Sequence, residues 1–349
     1  MSTIHVGMSG GVDSSLTAAL LKEQGHTVVG VYMKNWTKDL PGMTCPWAED
    51  LADAKRVAVQ LGIDFKVFDF EKEYKQKVVD YMTAEYQLGR TPNPDIMCNQ
   101  EVKFKLFLEA ALEDGADMIA TGHYARVEDG QLKMAEDTLK DQTYFLYRVT
   151  KAALQKTLFP LGNYNKSDVR AMAAERGLYT ARKKDSQGIC FVGQIGIREF
   201  LSEYVEQTAG AIIDTQTGLT IGQHDGALFY TLGQRHGLEV GGGLPYYVVG
   251  KDMAKNQVLV TTNLNDKHLW QDSIALGIVH WIDVAPPEGE YSVRVRHRGA
   301  LVLASLSYDG EAVRLDMSHP ERAVTPGQSI VIYDGPVCLG GGIIQRLLA

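Results

Sequence analysis

The chain has 349 residues, 45% hydrophobic and 22% charged, enough for two or three domains at roughly 150 residues each. Forty-three acidic residues against thirty-five basic ones leave a net charge of -8, which excludes a broadly basic surface coating nucleic acid and leaves any polyanion to a local patch. Four cysteines, Cys45, Cys98, Cys190 and Cys338, lie 53, 92 and 148 positions apart, which excludes a zinc knuckle and a disulfide-dense secreted scaffold. In chain order, strands are expected at 4–8, 27–33 and 63–68, with helices at 14–24 and 49–60 between them. Gly25 and Gly62 stand where those helices stop, and Leu51, Ala54, Val57, Ala58 and Leu61 recur at helical spacing. Such alternation predicts a parallel sheet. Helices at about 72–88 and 100–113 lead to a strand at 117–121 that ends in Gly122-His123, and strand ends of this kind carry ligands. Helical periodicity fades beyond 200–205, turn signals crowd 210–259, and 274–348 reads as regular short strands. The expected architecture is an α/β domain with a parallel sheet over 1–195, a small, mostly β central domain over 196–272, and a C-terminal β-barrel or sandwich over 273–349. No run approaches the ~18 apolar residues of a membrane span and no signal region opens the chain, so a soluble, cytoplasmic protein with no membrane partner is expected.

The strongest local signal is Gly7-Met8-Ser9-Gly10-Gly11-Val12-Asp13-Ser14-Ser15, set between the first strand and the first helix. Its glycines let backbone N–H groups turn toward an anion, the helix adds its positive end, and the serines add hydroxyl donors. A helix cap alone explains one serine and one glycine, not all of them together. The loop lacks the lysine of a Walker motif and the spaced glycines of a dinucleotide fingerprint. Asp13 would repel phosphate, so a magnesium ion between Asp13 and a pyrophosphate group is inferred, held mostly by water and substrate oxygens. The nine histidines show no metal-ligand spacing, and no side-chain metal centre is expected.

Asn93-Pro94-Asp95-Ile96-Met97-Cys98 follows Pro92, and two prolines in three positions make a stiff segment able to present Asp95 and Cys98 near a helix start, where thiolate is favoured. A small apolar thiol packed under the loop accounts for Cys98 equally well. Cys190 follows Arg182-Lys183-Lys184, positive charge that lowers a thiol's pKa and attracts phosphate; a solvated basic loop is the plain alternative. Cys338, between Val337 and Leu339, reads as core.

Ser9-Gly10-Gly11-Val12-Asp13-Ser14 resembles the pyrophosphate loop of the ATP pyrophosphatases, enzymes that cleave ATP between its α and β phosphates. With Met33-Lys34-Asn35-Trp36, the 89–99 segment, Ala120-Thr121-Gly122-His123-Tyr124, Lys140-Asp141-Gln142, the 184–191 segment, Thr231-Leu232-Gly233-Gln234-Arg235, Thr325-Pro326-Gly327-Gln328 and Cys338-Leu339-Gly340, the chain resembles the tRNA-specific 2-thiouridylases over nearly its whole length. That resemblance implies an adenine-nucleotide-hydrolase-like first domain and a barrel at the C-terminus. It implies that Gly7, Met8, Ser9, Gly10, Gly11, Val12, Asp13, Ser14, Met33 and Gly122 bind ATP as a substrate with Mg2+. It also implies that Asn93, Pro94 and Asp95 meet the target uridine, that Cys98 is the nucleophile, and that Cys190 carries persulfide sulfur and pairs with Cys98 in a disulfide. Asp95 is expected to move the proton. His123, Lys140, Asp141, Gln142, Arg296, His297 and Gln328 correspond to tRNA contacts. The implied reaction thiolates uridine 34 in the anticodon loop, with sulfur from a persulfide-donating relay protein or a cysteine desulfurase system.

Two further expectations remain. Arg294, Arg296 and Arg298 alternate along an expected strand and would share one face, either a solvated face of the barrel or a phosphate stripe, the latter favoured only by the resemblance. Cys45, Cys98 and Cys190 together could hold an iron–sulfur cluster, although no permanent cofactor is otherwise expected. The competing readings are a 4-thiouridine synthetase, an ATP-dependent amide ligase, which would not need both Cys98 and Cys190, and a non-catalytic tRNA-binding protein, which leaves the loop unexplained.

Overall fold

The computed structural model describes residues 1–39, 45–184, 196–241, 243–310 and 312–348. Cys190 lies outside the described residues. In the first domain β1 (Thr3–Gly7), β2 (Thr27–Lys34), β3 (Asp64–Asp69) and β4 (Met118–Ala120) precede a hairpin of β5 (Arg126–Glu128) and β6 (Gln131–Lys133), and β7 (Thr157–Leu158) follows. The sheet runs β3-β2-β1-β4-β7 and every neighbouring pair is parallel. Helices cover both faces of the central strand, so Ile4, His5 and Val6 are all buried, His5 with its ring nitrogen 2.6 Å from an Asp114 oxygen. Strand order reverses between β1 and β4, which leaves a crevice beyond their C-terminal ends.

Helix α1 (Val12–Glu23) leaves the end of β1, and α2 (Trp47–Leu61) ends at Gly62 in the left-handed conformation that its position predicted. The helix expected from residue 100 starts earlier. Asn93 accepts hydrogen bonds from the Asp95 and Ile96 amides at 3.1 and 3.4 Å, Pro94 takes the first helical position where it loses no hydrogen bond, and the run continues to 113 with a π-helical stretch at Asn99–Leu106. What reads as a stiff loop is a capped first turn.

Four strands, β8 (Gly210–Asp214), β9 (Thr220–His224), β10 (Tyr247–Asp252) and β11 (Gln257–Thr261), form a small sheet of order β10-β11-β8-β9. Six more follow: β12 (Trp270–Trp281), β13 (Gly289–Arg294), β14 (Val302–Asp309), β15 (Ala312–Arg322), β16 (Ser329–Asp334) and β17 (Val337–Leu348). They run β12-β15-β14-β13-β16-β17, and β17 pairs back with β12, so the region is a closed barrel and not a sandwich. Strand β6 extends this sheet by pairing with β17.

Polar groups sealed between the first domain and the barrel fix their joint. The Tyr144 hydroxyl donates to the Ser329 carbonyl at 2.9 Å, and Arg294 donates to Asp141 at 2.6 Å with both side chains buried. Asp141 also accepts from the Ala135 amide and the Thr143 hydroxyl, and the Arg294 guanidinium lies 5.4 Å over the Tyr333 ring. The expected arginine stripe is corrected by this arrangement. Strand β13 ends at Arg294, whose charge is enclosed by Asp141, and Arg298 sits beyond it at φ +59°, so the three arginines share no face.

Removing one member of a buried pair strands the other charge. Arg294→Met is expected to lower unfolding free energy by about 3–5 kcal/mol in a denaturant titration, and adding Asp141→Leu should recover part of that loss. A single variant as stable as the parent would show that the pair is not sealed from water.

Candidate active site

The loop between β1 and α1 lies at the strand-order reversal. Gly10 has φ +72°, and a side chain there would collide with the carbonyl oxygen of Asp50 at the start of α2. Gly11 begins α1 with no side-chain cap, so the first-turn amides face the crevice unclaimed by a capping residue. Ser9 is exposed at the apex, its amide 3.2 Å from the Ser14 hydroxyl, and Ser14 and Ser15 donate back to the Gly11 carbonyl at 3.2 and 2.7 Å. Hydroxyls thus stiffen the turn. Met8 and Val12 are buried in two separate apolar clusters, which leaves only their backbone to a ligand.

Gly122 closes the crevice from β4. A Cβ there would lie 2.8 Å from the Ser14 amide nitrogen, so only glycine lets the end of β4 lie against the start of α1. Met33, at the end of β2, packs against Gly7, and Phe107 touches the same spot from the 94–113 helix. That helix, which bears Asp95 and Cys98 nearer its start, therefore packs Phe107 against the end of β1. The thiol and carboxylate, three positions apart, fall on one face. Asp95 is half-buried and Cys98 fully buried, so the expected presentation of both groups holds for the carboxylate and not for the thiol, which packs inward at the level of Val102.

The sequence reading missed Lys166, which stands 153 positions from the loop at the start of the Lys166–Glu175 helix. Its Nζ lies 2.7 and 2.8 Å from the two Asp13 oxygens and 5.6 Å over the Tyr124 ring, and the Tyr124 hydroxyl donates to Asp13 at 2.9 Å. No local motif signals it, because a lysine at a helix start has no distinctive spacing. It supplies the cation that the loop itself lacks. One carboxylate beside substrate phosphates is the sparse ligand set magnesium accepts, and Asp13 fits that part. Among the described residues, no group of three or more His, Cys, Asp or Glu is placed to hold a metal ion.

The other expected contacts divide by exposure. Gln142 clamps Tyr124, accepting from its amide at 2.9 Å while its own amide donates to the Tyr124 carbonyl. Asp141 is buried against the barrel, which leaves a tRNA contact only to its backbone, whereas Lys140 is half-buried beside it. Burial, with Lys103 nearby, pushes His123 well below its ordinary pKa, and its ring packs between Phe104 and Phe159. His297 stacks 4.4 Å from Phe145, and burial with Arg298 and Arg294 pushes it down to about 4. Neither histidine brings a positive charge to a phosphate near neutral pH. Arg296 is exposed, and Gln328 donates to the Thr91 carbonyl at 2.8 Å.

The basic cluster before Cys190 is smaller than its sequence suggests. Lys183 lies 2.7 Å from both Asp50 and Asp53; burial works against its charge, but the two carboxylates more than offset that and raise its pKa. Only Arg182 and Lys184 of that trio are exposed. Burial pushes Cys45 and Cys338 above the ordinary thiol value, and Cys338 is core as expected.

Comparison with known proteins adds three findings. Residues 2–194 match the family described as tRNA methyl transferase HUP domain, 198–262 its PRC-barrel domain, and 271–344 the aminomethyltransferase beta-barrel domain. The tRNA-specific 2-thiouridylase MnmA of Enterococcus faecalis is 49% identical over 98% of this chain and 95% of its own length. That of Methylobacillus flagellatus is 46% identical over 99% of each. A solved 4-thiouridine synthetase–RNA complex with bound ATP aligns at TM-score 0.38 and 19% identity over 58% of this chain and 50% of that one, too weakly to carry an argument.

Lys166→Met keeps the apolar stem and removes the charge. It is expected to weaken ATP binding roughly tenfold in calorimetric titration with magnesium present, the scale of one charge-assisted hydrogen bond. Unchanged affinity would remove Lys166 from the site.

Proposed function

The chain belongs to the tRNA-specific 2-thiouridylase family, and on that premise we propose that it catalyses ATP-dependent 2-thiolation of the wobble uridine, U34, in tRNA. The observation that supports the reading is a glycine-serine loop at the sheet's switch point, closed by Gly122 and flanked by Lys166 on Asp13, with the helix that bears Asp95 and Cys98 packing Phe107 against Gly7. Backbone amides and serines of 7–14 cradle the ATP phosphates, with Lys166 adjacent and Gly122 leaving room for the loop. Magnesium, when bound, neutralises phosphate charge, with Asp13 as its protein ligand. The uridine O2 attacks the α phosphate and pyrophosphate leaves, so that C2 becomes electrophilic.

Sulfur is the nucleophile that follows. The terminal sulfur of a persulfide on Cys190 forms the new bond to C2 and AMP departs with the former O2. Attack of the Cys98 thiolate on the Cys190 sulfur then breaks the S–S bond, releasing 2-thiouridine and leaving a Cys98–Cys190 disulfide. In the alternative order, the same disulfide forms first and frees sulfide to attack C2. Either way, a dithiol reductant and a persulfide donor restore the starting state. Asp95, half-buried at the helix start, takes and returns the ring proton. The base must leave its stack to reach this site, and an anticodon loop lowers that cost.

The test supplies the protein with ATP, a persulfide donor and unmodified tRNA, then digests the RNA and identifies the thiolated nucleoside. 2-Thiouridine at position 34 with matching AMP and pyrophosphate is the expected product. Cys190→Ser should still release pyrophosphate and form no thionucleoside. Thiolation at another position, or 2-thiouridine from the Cys190→Ser variant, would overturn the assignment of target or of carrier respectively.

A further inference from the structure

A trough follows the seam between the small β domain and the barrel. Two adjoining cavities of about 450 and about 540 Å³ share Gly233, Gln234, Arg296 and Ala323 as lining. Gly233, at φ +79°, lets the 231–236 turn approach the barrel where a side chain would strike Ala323. Arg235 comes from that turn, and Arg296 and Arg322 face it from the barrel. Among the described lining residues none is acidic. Glu321, 3.6 Å from Arg296 and not a lining residue, offsets part of that charge. The Arg322 guanidinium is held 4.7 Å over the Tyr247 ring, and its Nε is buried with no hydrogen-bond partner. At its other end the trough reaches Gln328, which is bonded to the Thr91 carbonyl two positions before Asn93.

We propose that this trough cradles the phosphodiester backbone of RNA beside the target nucleotide, with Arg235 and Arg322 as phosphate ligands that no family correspondence includes. The inference rests on the tRNA reading above and extends it to the middle domain. Three guanidinium groups without lysine suit the planar, bidentate geometry of phosphate. The amides of Gln234 and Gln328 suit ribose hydroxyls and phosphate oxygens alike. An acidic peptide could use the arginines, but continuity with the 93–95 turn favours the chain that carries the target base. Such contacts position RNA without reading its sequence.

The experiment measures anisotropy of a labelled, unmodified tRNA transcript with the parent protein, Arg322→Gln and Arg235→Glu between about 50 and 200 mM salt. Each substitution should weaken binding on the order of three- to tenfold and reduce the slope of log affinity against log salt by about one. The loss should be alike for transcripts of different anticodon. Arg235 is exposed, so a folding defect in Arg322→Gln leaves that arm intact. Parent-like affinity and slope in both variants, with a parent that thiolates tRNA, overturns the trough and leaves the function standing. A parent that neither binds nor thiolates tRNA overturns the functional reading itself. Polyglutamate binding that falls in both variants while tRNA binding holds would assign the trough to an acidic protein and overturn the proposal.

Discussion

The buried pair of Arg294 and Asp141 sets where the barrel sits, and the phosphate loop inherits its surroundings from that joint. Asp141 is followed by Gln142, whose side chain and backbone clamp Tyr124, and the Tyr124 hydroxyl rests on Asp13. Four residues thus connect the barrel to the Asp13 carboxylate at the start of α1 through hydrogen bonds of 2.6 to 2.9 Å. A buried ion pair adds little net stability because desolvation nearly cancels its attraction. What it adds is a single solution to the geometry. Arg294 has one partner that can neutralise it inside the joint, so the barrel cannot slide without exposing a bare charge to apolar surroundings.

This economy of charge also explains how an acidic chain can hold a polyanion. Three of the cations that bear most on the first domain are matched to carboxylates: Lys166 to Asp13, Lys183 to Asp50 and Asp53, Arg294 to Asp141. The pairs of Lys183 and Arg294 hold elements together and offer little field to solvent, whereas Lys166 keeps its charge beside the phosphate loop. The exposed or half-buried arginines along the seam are different, because among the described residues only Arg296 has a carboxylate near it, Glu321 at 3.6 Å, and the lining around them is amide, ring and backbone. A net charge of -8 is then no obstacle, since a folded RNA meets local potential and not the sum over the chain.

The parts of this architecture legible in sequence are those specified by local chemistry. The phosphate loop is written in adjacent residues, and the parallel sheet follows from alternating strand and helix patterns. The closed barrel needed the β12–β17 pairing, whose partners lie 59 to 75 positions apart and leave no local trace. The helix start at Pro94 was hidden because two prolines suggest a loop, whereas an asparagine just before a proline is also a cap with its first helical residue. Alternation made Arg294, Arg296 and Arg298 look like one face, a period that holds only while the strand lasts. Lys166 could not be found at all, since its role depends on a partner in another element.

Cys98 poses the remaining question of access. Its helix is fixed at both ends of the relevant stretch, by the Asn93 cap before it and by Phe104 and Phe107, which pack against His123 and Gly7 after it. A thiol rooted this way does not swing out to meet a substrate without breaking those contacts. Asp95 lies one turn nearer the start and is half-buried, so the face it shares with Cys98 opens to solvent only at the carboxylate. For the proposed chemistry this is an advantage. A thiol waiting to cleave a persulfide is kept from stray oxidants and from idle disulfide exchange as long as burial limits access to its sulfur. In that proposal the base and the sulfur carrier come to the thiol, past the carboxylate at the start of the helix.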